Sequence, residues 1–205
     1  MIDATGLILA GGKSRRMGID KAFLRVGGDT MIKSIAAGLG KVFSEVMICG
    51  GSEDTGRRLG LTVVSDIIEG GGPLGGIHAG LVRARHQKCF VTACDMPFIS
   101  PELAGYMVEQ ADGYDIAVPR HGDYLQPLFA VYGKRCIPFI EEALRASRYK
   151  IVDFYSKVRV NYVSEEILKR FVDIEIAFFN VNTPSDLKKA RSMTWKKGKT
   201  GEETC

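Results

Sequence analysis

The chain has 205 residues, of which 45% are apolar and 25% charged, and a formal net charge of +4. That length supports one sizeable core and is marginal for two domains. The charge is too small and too scattered for a nucleic-acid partner, and no apolar run reaches the roughly 20 residues of a membrane span. The first residues, "MIDATGLILAGG", also lack the basic start and long apolar stretch of a secretory signal.

In chain order, "TGLILA" reads as a buried strand leaving through a Gly-Gly loop. "TMIKSIAAGLGKV" has helical spacing, with Met31, Ile35 and Leu39 on one face. "SEVMICGG" and "LTVVSD" are further strands. "PLGGIHAGLVRAR" reads as a helix whose face carries Ile77, Leu81 and Val82. "KCFVTACD" is a strand ending in an aspartate. Such alternation of continuous apolar strands with helices predicts an α/β fold: a three-layer sandwich, a mostly parallel Rossmann-like sheet with helices on both faces. Beyond it, "YDIAVPRHGDYLQPLFAVYG" suggests two strands around a polar turn at His121–Asp123, and "IPFIEEALRA" a helix. "VRVNYVS" and "AFFNVN" read as short strands. "TPSDLKKARSM" is a helix with Thr183 as N-cap, Pro184 first in the helix and Asp186 completing the capping pattern. We expect one domain over 1–192 and a disordered tail over 193–205.

The five cysteines stand at 49, 89, 94, 136 and 205. None has C-x-x-C spacing, so neither a zinc ribbon nor a redox dithiol is indicated. Their number is odd and three lie in apolar runs, which suits free buried thiols in a reducing cytoplasm.

In a parallel sheet, ligands bind at the carboxyl ends of the strands. The loops there are "GGKSRRMG", "GG" and "IIEGGGPLGG", followed by Asp95. Glycines such as Gly11 and Gly12 let backbone N–H groups approach a phosphate, and Lys13 and Arg16 add charge. An aspartate at a strand end can hold Mg²⁺ against phosphate oxygens. Together these residues describe a nucleoside triphosphate site; the alternative is that the glycines only turn the chain and the basic residues are a solvated face. The first loop is not a Walker A motif. Gly12, Lys13 and Ser14 supply the end of that motif, but Leu7 stands where its first glycine belongs.

"LAGGKSRRMGIDK" resembles the signature of molybdenum cofactor guanylyltransferases, within the wider nucleotidyltransferases of glycosyltransferase-A-like fold. The resemblance continues through "VVSD", "GPLGGI", "TACDMPF", "QPLFAVY" and "FFNVNTPSDL", essentially residues 5–190. It implies transfer of GMP from GTP to the terminal phosphate of molybdopterin, with release of pyrophosphate. It implies that Leu9, Ala10 and Gly11 line the guanine and ribose with backbone groups, that Lys21 contacts the nucleotide and Asp66 the nucleoside end, and that Asp95 holds Mg²⁺. Arg16, with Lys21 and Asp95, falls among the residues of catalysis. Gly18, Gly72, Gly76, Asn180 and Asn182 match positions of the pterin side. The implied partners are GTP, molybdopterin, molybdopterin-insertion proteins and molybdoenzymes.

The residues are consistent with that chemistry. A phosphate monoester has a second pKa of about 6, so the attacking oxygen is largely ionised at neutral pH and needs no general base. No Ser-His-Asp or Cys-His set is evident; His78, His86 and His121 are scattered. Asn180 and Asn182 alternate on the expected strand and would face a polar ring together; the alternative is that they cap the next helix. Two other functions stay open on these residues: transfer of another nucleotide or to another acceptor (cytidylyl transfer, or a sugar or alcohol phosphate), and a non-catalytic nucleotide-binding cofactor chaperone.

Overall fold

The computed structural model describes residues 1–11 and 21–199, apart from the side chains of Lys21 and residues 194–199. In chain order its elements are β1 (Ile2–Leu9), a 3-10 turn (Lys21–Phe23), β2 (Arg25–Val26), β3 (Asp29–Thr30), α1 (Met31–Gly40), β4 (Phe43–Cys49), α2 (Glu53–Leu59), β5 (Thr62–Val64), α3 (Gly72–Arg83), β6 (Lys88–Ala93), α4 (Pro101–Glu109), β7 (Ile116–His121), β8 (Tyr124–Leu125) and β9 (Phe129–Gly133). They continue with α5 (Ile137–Arg145), a 3-10 segment (Ile151–Lys157), β10 (Val160–Val163), α6 (Glu165–Leu168), α7 (Ile174–Ala177) and α8 (Pro184–Lys199).

The main sheet has the order β10-β7-β9-β6-β1-β4-β5, with β8 paired to β7. β1 is central, parallel to β4 on one side and β6 on the other; Leu9 lies opposite Cys49 and Ala93. Having neighbours on both edges and helices on both faces, it is buried from Ala4 to Leu9, which is why it reads as one apolar run. β9 runs antiparallel between β6 and β7. Its first residue, Phe129, therefore pairs with Thr92 near the carboxyl end of β6, and the link from Gln126 to Leu128 lies at the same edge. The polar turn expected at His121–Asp123 is present, but the strand after it is only Tyr124–Leu125; the long return strand is β9.

The helices form two layers. Ile32, Ile35 and Leu39 of α1, Leu103 and Met107 of α4, Leu168 of α6 and Ile174 of α7 cover one sheet face with Ile8, Phe43, Ile48, Phe90 and Phe129. Leu74, Ile77 and Leu81 of α3, with Ile140 and Leu144 of α5 and Phe154, cover the other with Leu7, Leu9, Met47, Val91 and Tyr132. Burying each such side chain contributes roughly 1.5–3 kcal/mol. Val82, expected on the core face of α3, is instead 40% exposed. The packed stripe is Leu74, Ile77 and Leu81, one and two turns apart, and Val82 falls beyond its edge.

Two helices over "SEDTGRRL" and "PELAGYMVE" escaped the sequence reading although their caps are written in the chain. Ser52 Oγ accepts from Thr55 N at 3.2 Å, and Gly60 ends α2 in the left-handed conformation. Ser100 Oγ accepts from Leu103 N at 3.2 Å, with Pro101 opening α4.

The expectation of a strand over "AFFNVN" is corrected. Asp173 Oδ1 accepts from Glu175 N and Ile176 N, starting α7, which ends at Ala177. Ile174, Ala177 and Phe178 then share a buried face at helical spacing. Residues 178–182 have no regular structure. The final helix begins as predicted: Asp186 N donates to Thr183 Oγ1 at 3.1 Å, and Thr183 N donates to Asp186 Oδ2 at 2.8 Å. It runs to Lys199, beyond the boundary expected at 192.

Candidate active site at the carboxyl edge of the sheet

The exits of the four strands β6, β1, β4 and β5 are joined by backbone hydrogen bonds that continue past the sheet. Cys94 N donates to Leu9 O at 3.0 Å, Ala10 N to Cys49 O at 2.9 Å and Gly50 N to Val64 O at 2.8 Å. The loop after β4 then crosses the loop after β1. Gly50 has φ +79°, and a β-carbon there would stand 2.7 Å from Gly11 Cα and 2.8 Å from Gly11 N. Only glycine fits both the backbone angle and the approach. The Leu9–Gly11 backbone is thus supported from behind by Gly50, a residue the sequence reading noted only as part of a Gly-Gly turn.

The same closeness brings α3 to the edge. A β-carbon on Gly76 would lie 3.3 Å from Leu9 Cδ2 and 4.0 Å from Asp66 Oδ1, and one on Gly75 would lie 3.3 Å from Asp66 Oδ2. Leu9, Asp66 and Gly76, distant in sequence, therefore meet. Gly72, at the start of α3, has φ +55° and faces open space. The Asp66 carboxyl rests on the bare glycine face of α3; this partial burial pushes its pKa up, and the charge of His78 pulls it back. Beside Gly76, burial pushes the Cys49 thiol up to about 12, so it is no thiolate nucleophile at neutral pH.

Asp95 is half-buried in the turn after β6. Its carbonyl accepts from Val181 N at 2.9 Å, which brings the irregular segment carrying Asn180 and Asn182 beside the strand-end aspartate. That segment is anchored by Phe178 against Phe129, 5.3 Å between ring centroids, and by Val181, which is buried. Asn180 and Asn182 are exposed. Asn180 Nδ2 donates to Phe178 O at 3.0 Å, fixing the local turn. Asn182 joins the cap of α8 through its backbone N–H, 3.1 Å from Asp186 Oδ2; the cap itself is the Thr183–Asp186 pair.

Leu9, Ala10, Gly11, Asp66, Gly72, Gly76, Asp95, Asn180 and Asn182 all belong to this one edge. Gly12, Lys13, Arg16 and Gly18 lie outside the described residues, and Lys21 is described only as the backbone start of a 3-10 turn. Among the described residues no three or more His, Cys, Asp or Glu side chains gather as a metal cage. A single strand-end carboxylate fits Mg²⁺, which takes one or two carboxylates together with substrate phosphates.

A family model described as the MobA-like NTP transferase domain matches residues 6–159. The chain belongs to the MobA-like NTP transferase family. It is 66% identical over 193 residues to the "probable molybdenum cofactor guanylyltransferase" of Pelotomaculum thermopropionicum, covering 94% of each chain. The crystal structure of molybdopterin-guanine dinucleotide biosynthesis protein A from Archaeoglobus fulgidus superposes with a TM-score of 0.82 at 30% identity, covering 94% of this chain and 99% of that one. The 2-C-methyl-D-erythritol 4-phosphate cytidylyltransferase of Thermus thermophilus shares the fold at a TM-score of 0.65 and 19% identity, over 92% of this chain and 98% of that one. The MobA-like fold is therefore the mostly parallel three-layer arrangement read from the sequence.

Proposed function

We propose that this chain is a molybdenum cofactor guanylyltransferase, transferring GMP from GTP to the terminal phosphate of molybdopterin. The observation that carries the reading is the near-full-length match to a guanylyltransferase of this family. An ionised oxygen of the acceptor phosphate attacks the α-phosphorus of GTP. The bond from that phosphorus to the β-phosphate bridging oxygen breaks, and pyrophosphate leaves with the electron pair. The acceptor arrives ionised, so no residue needs to remove a proton, in keeping with the protonated Cys49 at the edge.

The chain's part is to position and to neutralise charge. The Leu9–Gly11 backbone receives the base and ribose, and Asp66 accepts hydrogen bonds at the nucleoside end. Lys13, Arg16 and Lys21 meet the triphosphate. Asp95 holds Mg²⁺, whose charge would offset that of the α-phosphate and the departing pyrophosphate. Gly18, Gly72, Gly76, Asn180 and Asn182 serve the pterin side. The enzyme works in the cytoplasm, where the buried free thiols of Cys49, Cys89 and Cys136 stay reduced. It hands its product on by docking to molybdopterin-insertion proteins and molybdoenzymes, without nucleic acid or membrane as partner; among the described residues no helix is long and apolar enough to cross a membrane.

Pyrophosphate release measured with GTP, CTP, ATP and UTP, each with and without molybdopterin, tests this reading. Release from GTP that depends on molybdopterin is expected. Preference for CTP would change the nucleotide, and binding without release would make the chain a carrier.

A further inference from the structure

Gln126, Pro127 and Leu128 link β8 to β9 at the carboxyl edge, and the link is fixed from both faces of the sheet. Gln126 N donates to Pro119 O at 3.0 Å, and Gln126 O accepts from Phe129 N at 3.0 Å. On one face the Phe129 ring meets Phe178, 5.3 Å between centroids. On the other, the Tyr132 hydroxyl donates to Pro127 O at 2.7 Å and lies 2.7 Å from the Tyr155 hydroxyl. The single hydrogen of Tyr132 goes to the carbonyl, so Tyr155 donates to Tyr132. Both phenols are buried, and burial pushes the pKa of each upward, so both keep their hydrogens at neutral pH. Leu128 packs against the cores of both faces.

This link stands across β6 from the loops proposed to hold the nucleotide. In the sheet β6 separates β1 from β9, and Phe129 pairs with Thr92, close to the exit that leads to Asp95. Leu9, Gly11 and Gly50 lie on the β1 and β4 side of that exit. The segment of Asn180 and Asn182 joins Asp95 through Val181 N and meets the link through Phe178 and Phe129. Gln126 is half-buried. Its backbone groups are spent within the fold, while its side-chain amide makes no hydrogen bond among the described residues. That amide offers a carbonyl oxygen beside an NH2 group. A phosphate only accepts hydrogen bonds and is met best by charged donors. The complement of a primary amide is a ring amide, in which an N–H and a carbonyl also stand side by side.

We propose that Gln126 recognises the ring of the acceptor, pairing its side-chain amide with a ring N–H and carbonyl, and that the Tyr155–Tyr132 pair holds it in place through Pro127. The proposal rests on the reading of the chain as a guanylyltransferase of molybdopterin, and it adds a residue of "QPLFAVY" to the acceptor side. The two tyrosines are positioning residues: buried against the α3 and α5 face, they act on the acceptor only through the link.

The test titrates molybdopterin and GTP separately into the full chain by calorimetry. Gln126→Ala should weaken molybdopterin by roughly tenfold and leave GTP within about twofold. Gln126→Lys, which would strengthen a grip on phosphate, should also weaken molybdopterin; tighter binding would overturn the ring contact. Tyr132→Phe, which takes the donor from Pro127 O, should weaken molybdopterin by about threefold, and Tyr155→Phe by less. Those losses should disappear in the Gln126→Ala background, because the tyrosines act through that residue. Losses that persist there would overturn the positioning role, since they would then come from structure elsewhere. Molybdopterin affinity unchanged in Gln126→Ala, with the native chain binding it, would refute the proposal and leave the guanylyltransferase reading intact. A native chain that binds GTP and no molybdopterin would overturn both. Thermal melts confirm that the compared variants are folded.

Discussion

The exits of β1, β4, β5 and β6 are tied to one another backbone to backbone, whereas the segment from Phe178 to Asn182 reaches the same edge through the hydrogen bond from Val181 N to Asp95 O and the packing of Phe178 and Val181. In the first region the close contacts are made by glycines, and the functional surface is main chain. In the second, exposed amide side chains stand on an irregular stretch. The first is therefore vulnerable to added atoms and the second to removed ones. Such a division suits a site where the nucleotide must be held rigidly for phosphoryl chemistry and the acceptor is recognised by a few polar contacts.

Four substitutions sharpen the contrast. The largest effect is expected where the two regions join. Asp95→Asn removes the proposed Mg²⁺ carboxylate while leaving the backbone contact to Val181, and should lower GMP transfer by roughly a thousandfold with the fold intact. Pyrophosphate release and circular dichroism check it; near-native turnover would remove Asp95 from the chemistry. Next is Gly50→Ala. An L-residue at φ +79° is strained, and the new methyl would meet the Gly11 backbone at 2.7 Å, so the Leu9–Gly11 strand exit must shift. GTP affinity should fall by about tenfold, read by calorimetry.

Lys21→Ala should weaken GTP by about fivefold, and by more at low salt, because screening weakens exposed charges. Salt-independent affinity in this variant would separate Lys21 from the triphosphate. The smallest effect concerns the anchor of the second region. Asp186→Ala removes the reciprocal cap of α8 and should lower Tm by a few degrees. The Asp186 carboxyl is held low by its hydrogen bond with Thr183 and then by the N–H groups of Asn182 and Thr183. A carboxylate lowered on folding contributes stability above its unfolded pKa and loses it as pH falls through the folded value. The Tm difference between Asp186→Ala and the native chain should thus be full at neutral pH and vanish in acid. A difference independent of pH would assign the loss to something other than the charged cap.

The two regions also differ in how far they could be read from the sequence. Each strand of the first region is a continuous apolar run closed by glycine or aspartate, so "LILAGG", "MICGG", "VVSD" and "TACD" announce both the strand and the chemistry at its end. Register is not written there, and the Gly50–Gly11 crossing depends on it; no pattern within "CGGS" says which backbone it will meet. Likewise His78 looks like one more residue of an amphipathic helix until α5 brings Glu141 to its Nε2. In the second region the Thr183-Pro184-x-Asp186 cap is local and was legible. The strand expected over "AFFNVN" was not formed, because aromatic and β-branched composition suited a strand while the Asp173 cap and the core contacts of Ile174, Ala177 and Phe178 imposed a helical turn. The amides reach this edge for a reason the alternation did not contain: Val181 lies between them and its N–H donates to the Asp95 carbonyl.

The division between the two regions is tested most directly by titrating GTP and molybdopterin separately into Gly50→Ala, Asn180→Ala and Asn182→Ala. Loss of a buried polar contact to a ring should weaken molybdopterin by roughly tenfold in the asparagine variants, with GTP unchanged within about twofold. Gly50→Ala should do the reverse. Equal losses of both ligands in the asparagine variants, together with a lowered Tm, would contradict the account and leave those side chains only a structural part.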